Sequence, residues 1–174
     1  MKLGRQLLSA DAIQRRVQEL AGQISKDYAS VDRPLILLSV LKGSVCFATD
    51  LSRNIEVPVN FDYVAVSSYG SGTESSGHVQ LLKDLTMDVA GRDVLMVEDI
   101  IDTGLTTSFL FEHVQRHRPA SLKLCVLLNK EERRITPVPI AYKGFDIPNH
   151  FVVGYGLDYD ELYRNLTAVH ILEP

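Results

Sequence analysis

Apolar residues Ile13, Val17, Leu20, Ile24 and Tyr28 recur at helical spacing behind Ser9, which predicts an amphipathic helix over 10–29 capped by the serine hydroxyl. Beyond Pro34, LILLSV (35–40) is an unbroken apolar run of strand length, LKGS (41–44) turns the chain, and a helix over about 45–53 follows. The β-branched and aromatic stretch VPVNFDYVAVSSY (57–69) predicts a long strand, and HVQLLK (78–83) resumes alternation. Residues 57–83 therefore read as a hairpin whose tip, GSGTESSG (70–77), has three glycines, four hydroxyl-bearing residues and no apolar anchor. VLMVE (94–98) is a central buried strand, LTTSFLFEHVQRHR (105–118) the helix after it, stopped by Pro119, and LKLCVLL (122–128) a further buried strand. FVVGYG (151–156) and LTAVHIL (166–172) are strand candidates on either side of the acidic, aromatic DYDELYR (158–164).

Strand, helix, strand succession with fully apolar strands predicts an α/β domain built on a mainly parallel sheet flanked by helices. The chain shows no internal repeat and no linker, so one domain over 1–174 is expected. Composition narrows the function classes. A charged fraction of 23% with 45% hydrophobic residues is that of an ordinary soluble protein. No apolar run is long enough to span a membrane, and charges near the amino terminus argue against an export signal, so a cytoplasmic location is expected. Cys46 and Cys125 lack paired zinc spacing and are expected as reduced thiols. A net charge of -4 argues against broad nucleic-acid binding, but it leaves room for a phosphate ligand held by backbone N–H groups.

The chemistry concentrates in VEDIIDTGLT (97–106). Ligands of open parallel sheets collect beyond the carboxyl ends of the strands, where Glu98, Asp99 and Asp102 are placed just ahead of a helix. Thr103, Gly104, Leu105 and Thr106 offer hydroxyls and unpaired N–H groups to an anion, and Gly104 lets the backbone come close. The acids cannot serve the anion itself. They suit sugar hydroxyls, a metal ion or a proton in transit. No GxxxxGK[ST] and no GxGxxG after a strand is present, which disfavours an ATPase or a dinucleotide enzyme.

This stretch resembles the phosphoribosyl pyrophosphate signature of type I phosphoribosyltransferases. Together with LKGS (41–44), SSYG (67–70) and FVVGYGLDYDELYR (151–164), it makes the whole chain similar to the hypoxanthine(-guanine) phosphoribosyltransferase group. The resemblance implies the type I fold with a small hood contributed by about 130–164 and a lid over about 67–78 led by Ser68 and Tyr69. It implies Mg²⁺-dependent transfer of 5-phosphoribose to N9 of a purine, with pyrophosphate released. It places the 5′-phosphate on 102–106, the ribose hydroxyls and metal environment at Glu98 and Asp99, and Asp102 near N7 of the purine as general base or acid. Lys42 and Gly43 fall at pyrophosphate, as does Arg164, and Asp158 corresponds to a second metal carboxylate. Lys130 would donate to the exocyclic O6, Phe151 would stack on the base, and the backbone around Val152 would meet its edge. Arg134 is an auxiliary candidate, and His150 stands where other members carry different polar residues. The expected partners are a purine base and phosphoribosyl pyrophosphate, in a homodimer or homotetramer, without nucleic acid or membrane.

Two alternatives stay open from the residues. One is an enzyme for another base: Lys130 speaks against adenine, whereas xanthine shares O6. The other is an RNA-binding regulator that senses phosphoribosyl pyrophosphate on the same fold, against which the negative charge and the lack of a basic, aromatic stripe weigh.

Overall fold

The apolar run after Pro34 becomes strand β2 (Leu35–Leu41), and its alternate side chains serve two cores. In the computed structural model, which describes residues 1–68 and 79–173, Leu35 and Leu37 face one cluster with Leu95, Val97, Cys125 and Leu127. Ile36, Leu38 and Val40 face the other with Val94, Met96, Leu124 and Val126. Both faces of the sheet are dry, which is why these strands read as solid apolar runs rather than as alternation.

Helices α1 (Ala10–Asp27) and α2 (Val45–Asn54) cover the first face through Ile13, Val17, Leu20, Phe47 and Leu51. The oxygen of Ser9 accepts from the N–H of Ala12 at 3.2 Å and starts α1 as its position predicts. Strands β3 (Val59–Ser68), β4 (Val79–Lys83) and β6 (Ser121–Asn129) follow the expected spans closely, whereas β5 (Asp93–Ile101) runs three residues past the expected 94–98 and takes in Asp99. Helix α3 (Leu105–Arg116) lies on the second face through Leu110 and Val114.

With β7 (Ile140–Asp146) the main sheet has the order β4-β3-β2-β5-β6-β7. Every pairing is parallel except β3 with β4, the hairpin expected over 57–83. The expected mainly parallel sheet flanked by helices is thus present. Tyr69 and the 70–77 tip lie outside the described residues, so the lid assigned to them is not described. Ser68 is the last described residue of β3.

A separate three-stranded sheet, β1-β9-β8, joins β1 (Lys2–Leu8), β9 (Val169–Glu173) and β8 (Val152–Val153) in antiparallel fashion. It draws on both ends of the chain as well as on the segment 130–164. The strand candidate 151–156 shortens to β8 because Gly154 and Gly156 adopt φ of +98° and +99°, outside the strand region, and the candidate 166–172 becomes β9.

One polar anchor holds the sheet edge. Asp62 on β3 is 1% exposed. Its carboxylate accepts from Thr86 N at 2.8 Å, Thr86 Oγ1 at 2.7 Å and Met87 N at 2.9 Å. Burial pushes its pKa up, but the Thr86 hydroxyl and the N–H groups of Met87, Tyr63 and Thr86 outweigh it, and the net shift is downward. The stability this gives is present above the unfolded carboxyl value of about 3.9 and is lost as pH falls through the lower folded value. Asp62→Asn should therefore destabilise the fold by ~1–3 kcal/mol at neutral pH. In urea melts at successive pH values, the loss should shrink toward acid; a pH-independent difference would refute the anchoring role.

Candidate active site

The cleft forms where three loops meet beyond the carboxyl ends of β2, β5 and β6. Behind β2, the hydroxyl of Ser44 donates to the Val40 carbonyl at 2.7 Å and lies 2.8 Å from Ser39 Oγ, fastening the LKGS turn to its own strand. The Leu41–Lys42 peptide is cis. A Cβ at Gly43 would collide with the carboxylate of Asp99, and one at Gly156 would collide with the carbonyl of Gly43. Glycine at 43 therefore brings the turn after β2 against an acid of β5.

The last residues of β5 and the turn after it carry the acids. Glu98 is 5% exposed and makes a long contact, 3.4 Å, with the hydroxyl of Thr107. Burial raises its pKa well above the usual carboxylate range, Asp99 adds repulsion, and Thr107 opposes both. Asp99 is pushed up to about 6, chiefly by burial, with Asp158 adding repulsion against the pull of Arg164 and of backbone N–H groups. Asp102 is partly exposed and paired. Arg133 Nε lies 2.7 Å from its Oδ1, and Lys130 Nζ lies 3.7 Å from its Oδ2.

Behind Asp102 the chain forms a cradle. Gly104 has φ +85° and opens α3 without a side-chain cap; Leu105 N–H makes only a long contact, 3.4 Å, with Thr103 Oγ1, and the N–H groups of Thr106 and Thr107 remain available to an anion. A Cβ there would meet the Thr136 carbonyl at 2.5 Å, so glycine is required both by φ and by space. The segment after Lys130 braces the cradle: Ile135 and Thr136 donate their N–H groups to the Thr103 carbonyl at 2.9 and 3.0 Å, and Arg134 Nε donates to the Asp102 carbonyl at 3.2 Å.

Two cavities meet at Asp102. One, about 180 Å³, is lined by Glu98, Ile100, Asp102, Thr103, Gly104, Thr106 and Thr107, the cradle side. The other, about 270 Å³, is lined by Asp99, Ile100, Asp102, Lys130, Phe151, Val152, Leu157 and Asp158. Six of these eight are residues singled out from the sequence. Lys130 reaches this cavity with a side chain only 8% exposed. Burial lowers its pKa first, Arg133 assists, and Asp102 opposes. Phe151 is 46% exposed at the cavity mouth, edge-on to Tyr159 with ring centroids 5.8 Å apart. Arg164 Nη2 pairs with Asp158 Oδ1 at 2.8 Å, while its Nη1 donates to the Gly156 carbonyl at 2.8 Å. Lys42 pairs with Glu161 at 3.0 Å on the open rim, a contact too exposed to add much stability.

Placement departs from expectation at Glu98. Glu98 opens on the cradle cavity, away from the one lined by Asp99 and Asp158. Leu105 lines neither cavity, consistent with a position that supplies backbone alone. His150 is exposed and lines neither. The residues that sequence reasoning missed are Arg133, Thr107 and Glu161. Thr107 could have been read from the hydroxyl pair after Leu105, whereas the register of EERR gives no means of choosing Arg133 as the partner of Asp102. A larger cavity, about 480 Å³, lies between α1, α2 and residues 164–167. Its carboxylate, Asp50, already accepts from Gln14 and Tyr155, and none of the three acids Glu98, Asp99 and Asp102 lines it. The smaller pair is the better candidate for chemistry.

The site thus joins a carboxylate, a cradle and a partly apolar cavity with one buried ammonium. The family model described as a phosphoribosyl transferase domain matches residues 4–160. This chain belongs to that family. It is 54% identical over 172 residues to a hypoxanthine-guanine phosphoribosyltransferase of Mycobacterium tuberculosis, covering 97% of this chain and 85% of the relative. A hypoxanthine-guanine phosphoribosyltransferase of Streptococcus thermophilus is 44% identical over 167 residues, covering 96% and 92%. The solved structure of such an enzyme from Bacillus anthracis superposes with a TM-score of 0.93 at 44% identity, covering 99% of this chain and all of that one. The phosphoribosyltransferase fold expected from the motifs is the fold observed.

Proposed function

We propose that this phosphoribosyltransferase serves purine salvage, moving 5-phosphoribose from phosphoribosyl pyrophosphate to N9 of hypoxanthine, and of guanine, to give the nucleoside monophosphate and pyrophosphate. The observation that carries the reading is the buried Lys130 ammonium in one cavity with Asp102 and Phe151, next to the anion cradle. A donor-only ammonium donates to a carbonyl oxygen at position 6 of a purine and has no acceptor for an amino group there.

The cradle of Asp102–Thr106 receives the 5′-phosphate on N–H groups and hydroxyls, with the dipole of α3 favouring negative charge. The base enters the cavity lined by Lys130 and Phe151, Phe151 stacks on its face, and the backbone at Val152 lies along its edge. Glu98 and Asp99 face the sugar. As the bond from the anomeric carbon to pyrophosphate breaks, positive charge grows on the ribose ring, and nearby carboxylates stabilise it. N9 forms the new bond while the proton at N7 passes to Asp102. Arg164 and Lys42 offer cations to the departing pyrophosphate, Arg164 with the planar fork suited to its oxygens.

Asp99 and Asp158 fit a Mg²⁺ ion. Both line one cavity, and their mutual repulsion, with Asp99 pushed up to about 6 mainly by burial, would be relieved by a hard cation with oxygen ligands. When bound with pyrophosphate oxygens, the ion would neutralise leaving-group charge. The test is a panel of hypoxanthine, guanine, xanthine and adenine with phosphoribosyl pyrophosphate and Mg²⁺. Transfer to hypoxanthine and guanine, with adenine inert, is the expected result. Transfer to none of the four would sink the reading and favour a regulator on the same fold.

A further inference from the structure

Outside the cleft, one side-chain cluster joins metal-binding chemistry to convergent geometry. His113 in the last turn of α3 and His117, the residue that caps it, are four apart, a spacing that brings their imidazoles to the same side. Asp84 meets them from the connection that follows β4, with its Oδ1 2.7 Å from His113 Nε2. One ligand atom from each of the three lies within 4.8 Å of the other two. Among the described residues, this is the one group of three or more histidine, cysteine or acidic side chains whose ligand atoms converge in this way.

The three groups are held in place by their surroundings. Phe109 stacks on His113 with centroids 6.4 Å apart and planes 11° from parallel, and His117 stands edge-on to His113 at 5.3 Å. The connection bearing Asp84 is fixed two residues later by the bonds from Thr86 and Met87 to the buried Asp62. An ion would replace the Asp84–His113 hydrogen bond and draw in donors that already lie within 4.8 Å of one another, and pre-organisation of this kind lowers the cost of binding.

We propose that Asp84, His113 and His117 form a binding site for a divalent transition-metal ion such as Zn²⁺, separate from the cleft. Two imidazoles four apart on a helix with one carboxylate make a three-ligand set that leaves a fourth position for water. Nitrogen donors select this ion class over Mg²⁺, whereas the all-oxygen pair Asp99 and Asp158 has the opposite preference. The bound ion fastens the edge of the sheet to α3. His113 is about 12 Å along the helix axis from the first turn that forms the cradle. The site therefore stabilises the element that presents the anion-binding N–H groups, and it takes no part in the transfer.

The experiment is calorimetric titration of Zn²⁺ into the full chain with Mg²⁺ in excess, and absorption spectra with Co²⁺ as probe, for the wild type, His117→Gln and Asp84→Asn. His117→Gln leaves the Asp84–His113 hydrogen bond in place, so it separates ligand loss from loss of that bond. The expected result is one saturable Zn²⁺ per chain and a rise in thermal midpoint with Zn²⁺. Binding should weaken at least roughly tenfold in both variants, with Co²⁺ bands reduced in parallel and Mg²⁺-supported transferase activity unchanged. No saturable Zn²⁺ binding, or equal affinity in wild type and variants, would overturn the proposal and leave Asp84–His113 as a hydrogen-bonded tether.

Discussion

Asp102→Asn should lower turnover by ~10²–10⁴-fold, the range for removing a positioned proton-transfer group. The substitution keeps the shape of the side chain and deletes its capacity to take a proton as a carboxylate. Asp102 is the junction of the two cavities, so on the proposed reading a sugar phosphate in one and a base in the other would both present their reacting ends to it. It also balances Arg133 at 2.7 Å and Lys130 at 3.7 Å. Part of any loss could therefore arise from two cations left facing one another. Arg133→Ala separates the effects: if pairing alone matters, that variant should lose as much as Asp102→Asn. Steady-state and single-turnover rates with hypoxanthine decide the matter, with thermal melts to verify folding. Turnover within a few-fold of wild type in Asp102→Asn would remove Asp102 from the chemistry.

Lys130→Met should reduce kcat/KM for hypoxanthine by ~10–150-fold, because a hydrogen bond from a charged, buried donor contributes roughly 1.5–3 kcal/mol. Methionine retains most of the length and volume, so the cavity persists without its donor. The more telling quantity is the ratio of hypoxanthine to adenine activity. A lysine that reads O6 discriminates between the two bases, and its loss should narrow the ratio by about the same factor. A lysine that only braces Asp102 would lower both activities together and leave the ratio unchanged, an outcome that would remove Lys130 from base selection.

Both predictions depend on residues visible in the sequence, but they were visible for different reasons. The helix over 10–27 and strands β2, β5 and β6 announce themselves through local periodicity, because their burial follows a repeat that a short window contains. Asp102 is likewise legible. Acids, hydroxyls and a glycine packed into nine residues at the end of an apolar strand have little structural purpose without a ligand. Lys130, Phe151 and Asp158 are ordinary residues taken singly. They were assigned through resemblance, and in the fold they line a common cavity with Asp102.

Strands β1 and β7 gave no such signal. KLGRQLL is largely exposed and becomes a strand only by pairing with β9 across nearly the whole chain. IAYKGFD is an edge strand in which Gly144 meets the Leu127 carbonyl, a contact that only the assembled β6–β7 pair creates. Arg133 is hidden in the same way. In the run EERR either arginine could have turned toward Asp102, and the short 3₁₀ turn Glu131–Arg133 sends one to its carboxylate and the other to its carbonyl.

By itself the sequence determined the α/β class, the parallel buried core and the anion cradle, since each arises from neighbours within a few residues whose solvation and backbone freedom are local properties. Tertiary structure alone decided the sharing of Asp102 between two cavities, the elevation of Glu98 and Asp99, the bracing of the cradle by residues 133–136 and the meeting of Asp84 with His113 and His117. Those depend on how strands and loops far apart in the chain exclude water from one another, and desolvation and charge proximity are set by distance in space rather than along the backbone.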